Sequence, residues 1–220
     1  YTIAERITNA CIYAQVKHGD MKPPKDISNA LELMAYKLAD TLEYKIPSST
    51  GNHVFNNARG LFFAGTVLGN NSLINLAVAI FDDCMDRLVT VDGFLSEGSS
   101  HYHLLFTRWT FEVFWLAKKS GNQKTELMLQ PYLILLLERS KFFMVYNKDD
   151  EPRMPLIGDI SPDFTPEWLF SVGHIHHDKG IFSYLPLIEG FCAKSWHNLF
   201  EFNELETKSL YKKQIKRSRE

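Results

Sequence analysis

The sequence has few cysteines, no strong excess of either charge and no long apolar run, and each shortage excludes something. Three cysteines in 220 residues, Cys11, Cys84 and Cys192, stand far apart in mostly apolar or aromatic surroundings. They form neither a disulfide framework nor a zinc-ligand spacing. Twenty-four Lys and Arg against 26 Asp and Glu leave a formal net charge of -2. That balance argues against dominant sequence-independent nucleic-acid binding, which needs a surplus of cations to displace counterions. The longest strongly apolar stretch, Tyr132 to Leu137, is far short of the roughly 20 residues a membrane-spanning helix requires. No repeat of fixed period is visible, which argues against the common tandem-repeat solenoids. The first residue is Tyr1 and no basic n-region or apolar signal core follows, so the amino terminus reads as processed or truncated.

What is present is a globular composition, 45% hydrophobic and 23% charged, in which apolar residues recur with helical period over the first 145 positions. Ile3, Ile7, Ala10, Cys11 and Ala14 make one stripe, and Leu31, Met34, Ala35, Leu38 and Leu42 a second. Val54, Ala58, Leu61, Phe62 and Gly65 make a third, and Leu73, Leu76, Ala77, Ile80, Cys84 and Leu88 a fourth. Gly69-Asn70-Asn71 between the last two predicts a tight helix hairpin. A fifth helix is expected from about Ser100 to Ser120, ended by Gly121, and a sixth near Thr125 to Phe143. After Tyr146 the texture turns to charged and Gly/Pro-rich loops, then to an irregular aromatic segment with a basic end. The expected fold is mainly all-α, with helix pairs arranged as a bundle or around a cleft.

The third helix has an unusual polar face. Asn52, Asn56 and Arg59 fall within about 60 degrees of one another, with His53 at the flank, opposite the apolar stripe. From Ser48 to Asn70 there is no Lys, Glu or Asp, the usual occupants of a solvated helix surface, so something other than water is expected against that face. The plainer alternative is that Asn52 and His53 cap the helix start. A second cluster runs from Asp92 to His103. Gly93 and Gly98 bracket a shaped loop, Ser99 or Ser100 can cap the fifth helix, and Tyr102 falls in its first turn. Taken alone, such a Tyr is usually a core residue with a hydrogen-bonded hydroxyl.

Gly51-Asn52-His53 running into Asn57-Ala58-Arg59-Gly60-Leu61, then Asp92-Gly93, Glu97, Ser99 and Tyr102-His103, then Ile157-Gly158-Asp159, resembles the helical domain of the heparinase II/III-like polysaccharide lyases. The resemblance covers roughly residues 45 to 170. It implies an incomplete (α/α) toroid over residues 1 to 170 whose cleft holds an acidic polysaccharide, followed by the start of a β-sandwich in residues 171 to 220. It implies β-elimination at a uronic acid without a cofactor, with Asn52 and His53 neutralising the uronate carboxylate and Tyr102 as general base or acid. Asn56, Arg59, Glu97, His103, Arg108 and Asp159 would contact substrate. A tyrosine base needs nearby positive charge, for which His53, Arg59 and Arg108 are the candidates. The resemblance further implies a periplasmic or secreted setting.

The family adds a histidine from its β-sandwich, for which the chain after Asp159 is too short, so the sequence reads as truncated there. His174, His176, His177 and Asp178 have metal-ligand residue types without a recognised spacing and read as a surface loop. Two rivals stay open: a toroid glycoside hydrolase using a carboxylate pair such as Asp159 and Asp163, and a non-catalytic glycan-binding or scaffold domain. The aromatic residues Phe182, Tyr184, Phe191 and Trp196 predict self-association.

Overall fold

A computed structural model describes residues 1–18, 23–45, 51–143, 145–146, 152–153 and 156–160. Among these the chain is mainly all-α, with six helices: α1 Thr2–His18, α2 Lys25–Asp40, α3 Asn52–Leu68, α4 Asn71–Leu88, α5 Ser100–Lys119 and α6 Gln123–Ser140. A 3₁₀ turn, Lys141–Phe143, follows, then a two-residue antiparallel ladder of β1 Val145–Tyr146 with β2 Pro152–Arg153. The aromatic segment beyond residue 170, the His174 to Asp178 run, Asp163 and Cys192 lie outside the described residues.

Two helix hairpins are built from the same dipeptide. At Gly69-Asn70, Gly69 takes the left-handed conformation at φ 68° and Asn70 N–H donates to the Gly65 carbonyl at 2.8 Å. That is a Schellman stop for α3. Asn70 Oδ1 then accepts from the backbone N–H of Ser72 and Leu73, capping α4. At Gly121-Asn122 the pattern recurs: Gly121 has φ 72°, Asn122 N–H bonds the Ala117 carbonyl, and Asn122 Oδ1 accepts from Thr125 N–H. Stop and start signals thus sit side by side, which leaves no slack between the helices.

The chain divides into two compact units, residues 1–88 with 116–125, and residues 89–115 with 126–220. In the first, α3 is the central element, buried on nearly every face from Asn52 to Gly65. Its contacts with α1 advance together along both helices: Tyr1 packs on His53, Glu5 pairs with Arg59, and Ala4 meets Gly60. Those with α2 run in opposite order, Tyr36 to Asn70, Leu38 to Gly60 and Glu43 to Asn57. The hairpin places α4 antiparallel as well, with Phe81 between Phe55 and Phe62. Gly60 permits the closest approach, since a Cβ there would lie 2.8 Å from Ala4 Cα. In the second unit, Leu104, Phe106, Phe111 and Phe114 of α5 and Leu133 and Leu137 of α6 are buried.

Candidate functional site

Asn52, His53, Asn56 and Arg59 belong to the first unit, and Glu97, Tyr102, His103, Arg108 and Asp159 to the second. In the first, the helix N-cap is Gly51, without a side-chain capping bond, so Asn52 and His53 stand in the first turn of α3 and the capping alternative does not apply. Asn52 is buried at 4% exposure and Asn56 at 0%. Among the described residues neither amide atom of Asn56 has a hydrogen-bond partner. Arg59 is also fully buried and forms an ion pair with Glu5 of α1 at 2.9 Å. The face that lacks Lys, Glu and Asp is therefore an interior polar face, and Asn56 and Arg59, expected to contact substrate, are instead packed inside the unit.

His53 is different, projecting with 55% of its side chain exposed and its Nδ1 3.1 Å from Glu43 Oε1. Glu43, in the connection after α2, is held by Asn57, which is fully buried. Nothing in the sequence singles out Glu43, because the partnership forms across the α2–α3 connection rather than at a fixed spacing on one helix.

In the second unit the two separated motifs of the sequence meet. Ser99 caps α5, its Oγ accepting from Tyr102 N–H at 3.1 Å while its hydroxyl donates to the Asp159 carbonyl. Ser100 exchanges bonds with Ile157: Ser100 N–H donates to the Ile157 carbonyl at 3.0 Å, and Ile157 N–H donates to Ser100 Oγ at 3.1 Å. Gly158, at φ 75°, lies directly against Gly98. The Gly158-Asp159 segment is thereby docked on the cap of the helix that carries Tyr102.

Tyr102 is half-buried, and among the described residues its hydroxyl has no hydrogen-bond partner. Burial, then the charges of Asp159 and Glu97, push its pKa above the ordinary tyrosine value. A phenolate needs a nearby cation, and among the described residues the charges that act on Tyr102 are those of carboxylates. Arg108, one of the proposed cations, is engaged by Glu112 at 2.6 Å. At neutral pH Tyr102 therefore holds its proton, which suits a proton donor better than a base. His101, next to it, is buried at 3%, its ring edge-on to Tyr102 at 5.4 Å. Burial lowers the His101 pKa, against the opposing pull of Asp159.

His103, expected to touch substrate, is instead part of the core. It is 1% exposed, its Nδ1 accepts from Leu95 N–H at 3.2 Å and its Nε2 donates to the Leu136 carbonyl at 3.0 Å. Both nitrogens are used, and burial pushes its pKa down to about 4 despite the Leu136 bond. A neutral imidazole here ties the Asp92 to Ser99 loop to α6. Glu97 and Asp159 are exposed at the loop surface. Among the described residues no group of His, Cys, Asp and Glu is arranged to hold a metal ion, and no helix is long and apolar enough to cross a membrane.

No family model, curated protein or solved structure matches this chain.

Proposed function

We propose that this chain is a polysaccharide-lyase-like helical domain that cleaves a uronate-containing glycan by β-elimination. The observation that carries the reading is the docking of Ile157, Gly158 and Asp159 on the cap of α5. It joins two distant motifs around one half-buried tyrosine whose hydroxyl is not engaged among the described residues. The helix order of the first unit supports the toroid, since α1 and α3 share one sense and α2 and α4 run against α3, as inner and outer helices of an (α/α) array would.

Elimination transfers the C5 proton of the uronate to a general base, moves the C5–H electron pair into a C4–C5 double bond, and expels the C4 oxygen, which takes up a proton from a general acid. Amide and imidazolium groups favour the first step by bonding the carboxylate as charge builds on it, the role given to Asn52 and, in its charged form, to His53. A protonated Tyr102 donates to the leaving oxygen in the last step.

Incubation with a panel of acidic polysaccharides tests it, because elimination leaves an unsaturated sugar that absorbs in the ultraviolet. Reducing ends without that absorbance would mean hydrolysis. Glycan retention without either product would mean a binding domain.

A further inference from the structure

Glu43 lies outside every motif of the sequence, yet two side chains converge on it. Asn57 holds it twice, its Oδ1 accepting from the Glu43 backbone N–H and its Nδ2 donating to Glu43 Oε2, both at 2.9 Å. The second oxygen, Oε1, faces His53 Nδ1 at 3.1 Å. Burial alone would raise the Glu43 pKa, but the hydrogen bonds from Asn57 and His53 act against it and hold the carboxyl below the ordinary carboxylate range. An ionised carboxylate has no proton to give, so the proton of this hydrogen bond belongs to His53 Nδ1. In the neutral ring Nε2 then carries the lone pair.

We propose that Glu43 is a positioning residue: anchored by Asn57, it fixes neutral His53 as the Nδ1–H tautomer and presents Nε2 as an outward-facing acceptor. Its catalytic meaning rests on the lyase reading. A His53 held in this way accepts a proton or a hydroxyl hydrogen bond when neutral, and donates to a carboxylate through Nε2 only when charged. The buried amide of Asn57 makes the arrangement rigid, because both ends of Glu43, backbone and carboxylate, are tied to one side chain.

Nitrogen-15 NMR of His53 in the 220-residue chain, at a pH where the ring is neutral, reads the tautomer directly. The expected result is Nδ1–H in the wild type, moving toward the Nε2–H form that free histidine favours in Glu43→Gln and Glu43→Ala. Nε2–H in the wild type would overturn the assignment, and that spectrum needs no variant to fold. An unchanged tautomer in two variants that unfold at the wild-type temperature would overturn it as well. On a uronate polymer that the wild type cleaves, Glu43→Gln should lower kcat about 10-fold with KM little changed; a change in KM alone would count against positioning. If the tautomer behaves as expected and no polymer is cleaved, the Glu43 assignment stands and the lyase reading falls.

Discussion

A Cβ added to Gly158 would lie 2.4 Å from the carbonyl oxygen of Gly98. Both glycines also adopt positive φ, 75° and 66°, so each conformation is one that other L-residues enter at a cost. Around Gly98, however, an added Cβ would meet nothing within 4 Å. Gly98→Ala is therefore expected to cost about 1 kcal/mol of conformational strain. Gly158→Ala adds a collision with backbone and should cost about 1 to 3 kcal/mol more, or release the 157–159 segment from the α5 cap. Urea unfolding and hydrogen exchange at Ser100 N–H compare the two. Equal costs would mean that the docked segment is not held by the close approach.

His103 makes the chain acid-sensitive in a defined window. Its folded pKa, about 4, lies below the ordinary value of about 6.5, so between those values the unfolded chain binds the proton and the folded chain does not. The neutral buried ring contributes stability that is fully present above about pH 6.5 and is lost as pH falls toward 4, roughly 3 kcal/mol in all. His103→Gln should be less stable at pH 7 yet show a flatter loss over that window. A slope equal to the wild type's would place the acid sensitivity elsewhere.

The helices were legible because their stripes and stops are local. Gly69-Asn70 and Gly121 mark helix ends through backbone conformation that neighbouring residues specify. The interior nature of the α3 polar face could also be read from the absence of Lys, Glu and Asp. What stayed hidden depends on distant partners. His103 sits in the same short motif as Tyr102, but one position along a helix turns a side chain by about 100 degrees, from the half-buried surface into the core beneath Leu136. Glu43 and Glu5 show the same limit, since the carboxylates that meet His53 and Arg59 are identified by packing and not by spacing, unlike the i,i+4 pair Arg108–Glu112.

Asn56 offers a separation of stability from function. A buried amide with no partner among the described residues costs about 1 to 3 kcal/mol in desolvation, and leucine nearly matches its shape. Asn56→Leu is expected to raise the unfolding midpoint, or leave it unchanged, with little effect on turnover, because the fully buried amide does not reach a substrate. A loss of more than about 1 kcal/mol would mean that the amide is satisfied in the folded protein, by water for instance.

Tyr102→Phe tests the chemistry itself. Among the described residues the hydroxyl is not engaged, so its removal should shift stability by less than about 0.5 kcal/mol. Elimination should nevertheless fall about 10²- to 10⁴-fold, the usual contribution of a positioned proton donor. In the free protein, difference absorbance during alkaline titration should show Tyr102 ionising above the ordinary value, as burial and the Asp159 and Glu97 charges require; in the variant the ionisation of Tyr44, raised to about 12, should remain and that of Tyr102 should be absent. Replacing Asp159 by Asn removes one of those charges and should bring that ionisation down toward the ordinary value. It should leave the Ser99 bond in place, because that bond goes to the Asp159 backbone carbonyl. Near-normal turnover in Tyr102→Phe, on a polymer that the wild type cleaves with formation of the unsaturated product, would move the proton transfer to another residue and leave the docked loop without a catalytic role.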